Sequence, residues 1–468
     1  MSTMKQRSGQ CIVGGIVLIA LSAAIVQAFV WESWPRLANP LSDPDNFQTR
    51  RAVSLLTTGT FNFREVGFVS LQGLRGPAYP IVLAFAFLIT RAATAWPVYI
   101  LNALFFAGAI MFLWLFAKRF LSGLWQFLPP FMLAVFWEAT SLVVVPSYEI
   151  FSLSVALGSL EALFRYRDTA QARWLAVAAC GIAIWTLERP VMLYALPFLF
   201  LIMLIWQAKR LSVRSLGVHL GIVAALLALL VGSWSYHNYT AYGTWQLGSA
   251  GPILLRRASQ VDFSSRELIS MALSFSVGDF IGSRIYAHYP ADAEPKTWDP
   301  EIERRLERTG FYRSNWYVTD DDGSVLTRVA FEQRLMREAK EKMRARPVIF
   351  FLTGFINMLR LNAPVNYGGQ EMMHLFVDSH EQFAAAVKIA IIAAIRLAWL
   401  AFVLIALFAL CTHWYDWWAW SVPAFLIMYY NGMHVFFTHA EVRYLLTAMP
   451  LYFLFFVEGL RLLTRKYF

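Results

Sequence analysis

Residues 8–31 hold no charged side chain, and such a run exceeds the roughly 20 residues that carry an α-helix across a bilayer. Further uncharged or nearly uncharged runs follow at about 77–90, 92–117, 120–146, 149–164, 174–187, 190–206, 215–235, 383–411, 417–437 and 442–460. Backbone taken into hydrocarbon has no water to bond to, so each run must close its own hydrogen bonds as a helix. The sequence therefore predicts an all-α, polytopic integral membrane protein of about 11 transmembrane helices, within bounds of about 10–13. A hydrophobic share of 58% against 15% charged residues excludes both a water-soluble enzyme and a disordered chain. Cys11, Cys180 and Cys411 each lie inside an apolar run and form no CxxC pattern, so they offer neither a metal site nor a disulfide framework.

The charges are confined. Of 40 Lys and Arg and 30 Asp and Glu, residues 256–346 hold 16 and 15, a nearly neutral segment of soluble character. The other bases gather in short connections, Lys5–Arg7, Lys118–Arg119, Arg165–Arg173, Lys209–Arg214 and Arg461–Lys466, as cytoplasmic loops do under the positive-inside rule. No helix-turn-helix, RNP or zinc-finger pattern accompanies them, and nucleic acid is excluded as a partner.

The length of the first run favours an uncleaved anchor over a signal peptide, whose apolar region covers about 7–15 residues. That places the N-terminus in the cytoplasm and residues 32–76 outside. Strict alternation through 77–90 and 92–117 would put Lys118 and Arg119 outside as well, so one short segment, such as 77–90, is expected to be re-entrant or half-buried. Three domains follow: an N-terminal transmembrane catalytic module over 1–235 with first outer loop 32–76, an extracytoplasmic loop with interfacial helices over 236–382, and C-terminal transmembrane helices over 383–468. Within the loop, Asp299-Pro300-Glu301 opens a helix that Gly310 stops, a second charged helix runs from about Val325 to Arg346, and 347–361 forms an interfacial amphipathic helix. Asp320-Asp321-Asp322-Gly323 lacks the spaced ligands of a calcium loop and reads as a solvated turn. The aromatic groups Trp414–Trp420 and Tyr429-Tyr430 read as an interfacial belt.

The first outer loop reads SDPDNFQTRRAVSLLTTGTFNFREVGFVSLQGLRGPAYP. Asp43 with Pro44 can cap a short helix whose Phe47, Ala52, Leu55 and Leu56 face the membrane and which Gly59 ends. Asp45 in its first turn is free to point at a cavity, although the helix dipole alone also accounts for an acid there.

An early outer-loop Asp, an A-x-x-L-L-x-x-G-x-F helix over Ala52, Leu55, Leu56, Gly59 and Phe61, and G-P-x-Y-P over Gly76, Pro77, Tyr79 and Pro80 resemble the C-type superfamily of membrane glycosyltransferases. That superfamily includes protein mannosyltransferases and lipid A aminoarabinose transferases. Pro146-Ser-Tyr-Glu149, Glu188-Arg189-Pro190, Trp234-Ser-Tyr-His-Asn238 before Gly243, and His439-Ala-Glu-Val-Arg443-Tyr444 before Pro450 extend the resemblance over most of the chain. It implies a hexosyl or pentosyl transfer from a polyprenyl-phosphate sugar to a lipid, glycan or protein acceptor. The reaction would take place at the extracytoplasmic face of a membrane such as the bacterial plasma membrane.

Such a transfer needs a carboxylate to take the acceptor proton and cations to hold the departing phosphate. Asp45 or Asp43 would be the general base, with inversion if the displacement is single. Arg443 and Arg189 are the leading phosphate ligands, because a guanidinium beside an apolar span is costly unless it meets a partner. Tyr444, His237, Arg75, Arg256 and Arg257 join them, with solvation or snorkelling as the plainer account of each. Glu149 is placed to bind acceptor or metal, or simply to favour its helix N-terminus. A divalent cation stays open as a cofactor, while His434 and His439 read as polar interface residues. A flippase for lipid-linked glycan is the competing class; it predicts charges or broken helices in mid-span and related halves.

Overall fold

The computed structural model describes residues 2–30, 47–59, 76–91, 93–144, 148–248, 250–277, 300–309, 317–362, 385–413, 417–437 and 445–467. They are nearly all helical and form two compact units, one ending at Gly248 and one built mainly from the chain beyond it.

The first unit contains α1 (Ser2–Val30), α2 (Phe47–Thr58), α3 (Ala78–Thr90), α4 (Ala95–Ala117), α5 (Leu128–Val135), α6 (Trp137–Val143), α7 (Tyr148–Thr169), α8 (Ala172–Glu188), α9 (Leu196–Gln207), α10 (Val213–Leu227) and α11 (Ser233–Tyr242). Among the described residues five segments are long and apolar enough to cross a bilayer: Ser8–Val26, Trp96–Ala117, Pro190–Gln207, Val213–Ala241 and Ala393–Thr412. A bent pair, α6 with α7, makes a sixth if it counts as one span. The chain is a multi-pass membrane protein. The run at 120–146 is broken rather than continuous: Gly123 at φ +63 opens a 3-10 turn, Pro129 and Pro130 sit in the first turn of α5, and Phe136 is extended. Proline lacks the N–H of a helix interior and is tolerated only where that donor has no partner.

Helices of this unit approach closely through small residues. A Cβ on Gly181 would fall 2.1 Å from Ser159 Oγ, and one on Gly108 3.0 Å from Ser154 Oγ. Close crossings of this kind supply dispersion contact where lipid offers no hydrophobic drive between helices.

At one end of the unit three connections are tied together. Arg119 Nη2 meets Glu161 Oε1 at 2.8 Å and also pairs with Asp168, and Arg165 Nε meets Glu161 at 2.7 Å. Arg210 Nη1 donates to the Arg167 carbonyl at 2.7 Å and Gln207 Nε2 to that of Tyr166 at 3.0 Å. Three of the connections expected on the cytoplasmic side, those after α4, α7 and α9, thus share one end of this unit. This arrangement removes the conflict at 77–117. α3 has 13 residues, too few to span, and it doubles back beside α4: Tyr79 at its start reaches Asn102, well inside α4. α3 therefore does not cross by itself, α4 makes the one crossing of the pair, and Lys118–Arg119 stays with the other basic connections of this unit.

The second unit contains α12 (Gly251–Ser259), α13 (Ser265–Val277), α14 (Pro300–Arg308), β1 (Tyr317–Thr319), β2 (Val325–Thr327), α15 (Arg328–Ala345), α16 (Pro347–Leu361), α17 (Ala385–Thr412), α18 (Trp417–Phe436) and α19 (Met449–Tyr467). Two expectations are corrected here. Val325 does not open a helix: it pairs with Thr319 in an antiparallel hairpin, and α15 starts at Arg328 with the Thr327 side chain accepting from Ala330 N. The Val-Leu-Thr triplet favours a pleated strand, and Thr is a good cap. The Asp320–Gly323 turn is not wholly solvated either. Asp320 is buried, with Arg305 Nη2 at 3.0 Å and Arg334 Nη1 at 2.9 Å, while Gly323 takes φ +80 to close the turn. Arg305 also meets Glu338 at 2.7 Å, so one guanidinium joins α14, the hairpin and α15. Trp420, expected in an aromatic belt, is buried and stacked on His413 at 4.5 Å, and Tyr430 is buried too. The expected Asp299 cap and Gly310 stop lie outside the described residues.

Asp320→Asn leaves two guanidinium groups without their shared charge, and breaking a buried pair costs about 3–5 kcal/mol. Hydrogen exchange of peptides covering 317–327 and 300–308 is expected to accelerate strongly in this variant, with exchange in the first unit unchanged.

Candidate active site

The other end of the first unit, roughly 27 Å along α7 from its basic terminus, gathers buried charge. Glu149 stands in the first turn of α7 and Arg189 directly follows α8; both are buried, and Arg189 Nη2 lies 3.3 Å from Glu149 Oε1. The Arg189 guanidinium also covers the Tyr148 ring at 4.7 Å. Two residues named from sequence are thus brought together as an ion pair. Burying an acid and a base together carries a desolvation cost that makes such pairs uncommon without a task.

Glu188, quoted from sequence only within Glu188-Arg189-Pro190 and given no role, and Arg51, not singled out, belong to the same cluster. Glu188 Oε1 accepts from the Tyr79 backbone N–H at 2.9 Å, placing a carboxylate at the N-terminus of α3, where unpaired amides and the helix dipole favour it. Arg51 on α2 is fully buried and donates from Nη1 to the Gly76 carbonyl at 2.9 Å. Its charge bears on Glu188 and on His237. Gly76 has no room for a side chain: a Cβ there would lie 2.2 Å from the Leu187 carbonyl oxygen. Tyr79 is buried, with its hydroxyl donating to Asn102 Oδ1 at 2.9 Å; Asn102 Nδ2 in turn donates to the Val143 carbonyl at 3.2 Å. The G-P-x-Y-P motif is therefore a docking turn, its glycine against α8 and its tyrosine against α4.

A signal for Arg51 exists in α2. Gln48, Thr49, Arg51, Ala52 and Ser54 are buried, whereas Leu56 is 43% exposed. A helix that buries its polar face and presents leucine outward suits a lipid setting, where charges turn toward protein. Gly59 ends α2 as expected, at φ +68 with its N–H on the Leu55 carbonyl.

His237 on α11 stacks on Trp234 at 4.6 Å, Asn238 Nδ2 holds the Gln246 carbonyl at 2.8 Å, and Gly243 ends the helix at φ +71. In the second unit Arg256 is half-buried and Arg257 is buried. Arg257 donates to the carbonyls of Val435 and Phe350 and to the side chains of Gln260 and Thr353, each at 2.8–2.9 Å. Burial among neutral acceptors pushes its guanidinium down to about 9. Asp43, Asp45, Arg75, Arg443 and Tyr444 lie outside the described residues, as does His439. Among the described residues no group of three or more His, Cys, Asp or Glu could hold a metal ion.

In the first unit a bundle of apolar helices carries the short helix α2 packed against α3. The fold is similar to that of a solved protein. The archaeal oligosaccharyltransferase AglB from Archaeoglobus fulgidus, in complex with an inhibitory peptide and a dolichol-phosphate, matches over 99% of this chain with a TM-score of 0.51 and 13% identity. The chain spans about half of that protein, 51% of its length. At this identity the likeness is one of fold. No family model and no curated relative matches the sequence.

Gly76→Ala puts a methyl group into the Leu187 backbone, and overpacking of this kind costs about 1–3 kcal/mol. Thermal unfolding in detergent is expected to shift down clearly for this variant. Gly432→Ala in α18, where a Cβ meets nothing within 4 Å, is expected to leave it in place.

Proposed function

We propose that this protein is an integral membrane glycosyltransferase that moves a hexosyl or pentosyl group from a polyprenyl-phosphate donor to a lipid, glycan or protein acceptor. The observation that carries the reading is the buried Glu149–Arg189 pair at the end of the first unit where the first outer loop begins and ends. Its fold relative was solved with a dolichol-phosphate and a peptide, which supports a lipid-phosphate donor and keeps a protein acceptor among the candidates. The site faces outward in a chain of about 11 spans, since the opposite end of the same unit carries the basic connections. A bacterial plasma membrane with the site toward the periplasm or exterior is the setting this reading adopts.

In the proposed reaction Asp45 or Asp43 takes the proton of an acceptor hydroxyl as its oxygen attacks the anomeric carbon. The bond from that carbon to the phosphate oxygen breaks, and the polyprenyl phosphate leaves with the electron pair. One displacement inverts the anomeric centre. Arg189 turns its charge from Glu149 toward the developing phosphate dianion, a charge-assisted contact of the kind guanidinium groups make best. His237 and Arg75 are assigned to the same task, as are Arg443, Tyr444 and Arg256, while Arg257 is withdrawn from it because its donors are engaged by Val435, Gln260, Thr353 and Phe350. Glu149 orients the acceptor or a divalent cation. The competing flippase expects charges or broken helices at mid-span and related halves; the broken run at 120–146, with Glu138 in it, answers part of that description, whereas the acid and base of the Glu149–Arg189 pair stand at the ends of α7 and α8, which favours the transferase.

Purified protein in detergent, given radiolabelled polyprenyl-phosphate sugars and a membrane extract as acceptor, is expected to transfer label. Asp45→Asn or Asp43→Asn should reduce it by about 10²–10⁴-fold, the usual share of a general base. Absence of transfer by the wild type with every donor, together with movement of lipid-linked sugar across proteoliposomes, would establish the flippase instead.

A further inference from the structure

The cluster contains a buried cation that holds a backbone turn. Arg51 has no solvent exposure, and its Nη1 is spent on the Gly76 carbonyl at 2.9 Å. On the other face of that turn, Gly76 rests on the Leu187 carbonyl with no space for a Cβ, and the next residues present the Tyr79 N–H to Glu188 Oε1 at 2.9 Å. Three pieces of chain meet here: α2, which starts two residues after Asp45; the turn where the first outer loop returns to the bundle; and the end of α8, whose next residue is Arg189.

We propose that Arg51 and Glu188 act together as a joint that fixes the first-loop helix and the Gly76–Tyr79 turn against Arg189, making both of them positioning residues rather than donor ligands. The inference rests on the transferase reading above and adds to it the means by which the general base is held in register. Arg51 grips the turn from the α2 side through a carbonyl. Glu188 grips it from the α8 side through an amide. Because Glu188 and Arg189 are consecutive, the carboxylate that anchors α3 and the guanidinium paired with Glu149 share one stretch of backbone, so a shift at the turn is passed to the ion pair. Misplacement of a reacting group by about 1 Å costs on the order of 10²-fold in rate, and two hydrogen bonds at the same turn give the loop that precision.

The test compares wild type with Arg51→Gln, Arg51→Lys and the near-isosteric Glu188→Gln, in the transfer assay and by hydrogen exchange of peptides beginning at Gly76. For a joint, Arg51→Gln and Glu188→Gln each lower kcat by about 10²-fold while donor KM stays within about threefold, and both speed exchange at Ala78 and Tyr79. Arg51→Lys, which retains the charge and N–H donors on one nitrogen without the planar fork, recovers part of both. A rise in donor KM with kcat kept would make Arg51 a phosphate ligand and overturn the proposal. Unchanged exchange at Ala78 and Tyr79 in Glu188→Gln would overturn it as well. If the wild type transfers nothing, the functional reading fails, and the exchange results alone still decide whether the joint exists.

Discussion

A guanidinium or carboxylate at the end of an apolar helix is tolerated only where another charge or a backbone group meets it, and that requirement organises both ends of the first unit. At one end Glu161 and Asp168 collect Arg119, Arg165 and Arg167 and thereby bind the connections after α4, α7 and α9 into one face. At the other, Glu149 answers Arg189 and Glu188 anchors α3. The apolar lengths between them supply the bulk of the packing, with small residues such as Gly108, Gly158 and Gly181 letting the helices approach. The charges decide which ends of the helices come together.

Much of this was legible in the sequence because membrane burial imposes a coarse and strong pattern. The long uncharged runs, the basic short connections, the end of α2 at Gly59 and the helix over 347–361 follow from length, charge and backbone conformation. What could not be read are features set by contacts distant in sequence. Arg51 shares the polar stripe of α2 with Gln48 and Ser54, but nothing local names Gly76, 25 positions away, as its partner. Glu188 looks like a helix-end acid, yet its partner is an amide 109 residues earlier. The hairpin over 317–327 was hidden because three-residue strands carry too little periodicity to outweigh the long helical pattern that follows. Asp320 read as solvated because its two arginines come from α14 and α15, which the sequence does not show to be neighbours.

The fold shared with an archaeal oligosaccharyltransferase about twice as long is compatible with very different acceptors, since fold and function part company readily and chemistry resides in the site. The motif order of the chain and the buried acid–cation cluster give the functional reading its content: a carboxylate near the first loop, a guanidinium held ready beside a second acid, and a turn that fixes one relative to the other. Arg257, in contrast, spends its donors on neutral atoms of α12, α16 and α18, which suits a role in holding those helices together.

The central claim is that the two charged ends of the first unit face opposite sides of the membrane. The direct measurement is labelling by an impermeant maleimide in sealed vesicles of known orientation, on a background lacking Cys11, Cys180 and Cys411, all three free thiols. Thr94→Cys, exposed in the link between α3 and α4, and Ser122→Cys, exposed beyond the basic end of α4, serve as the two reporters. The account predicts that position 94 is labelled from the extracytoplasmic side and position 122 only from the cytoplasmic side. Labelling of both from one side, or the reverse assignment, would contradict it.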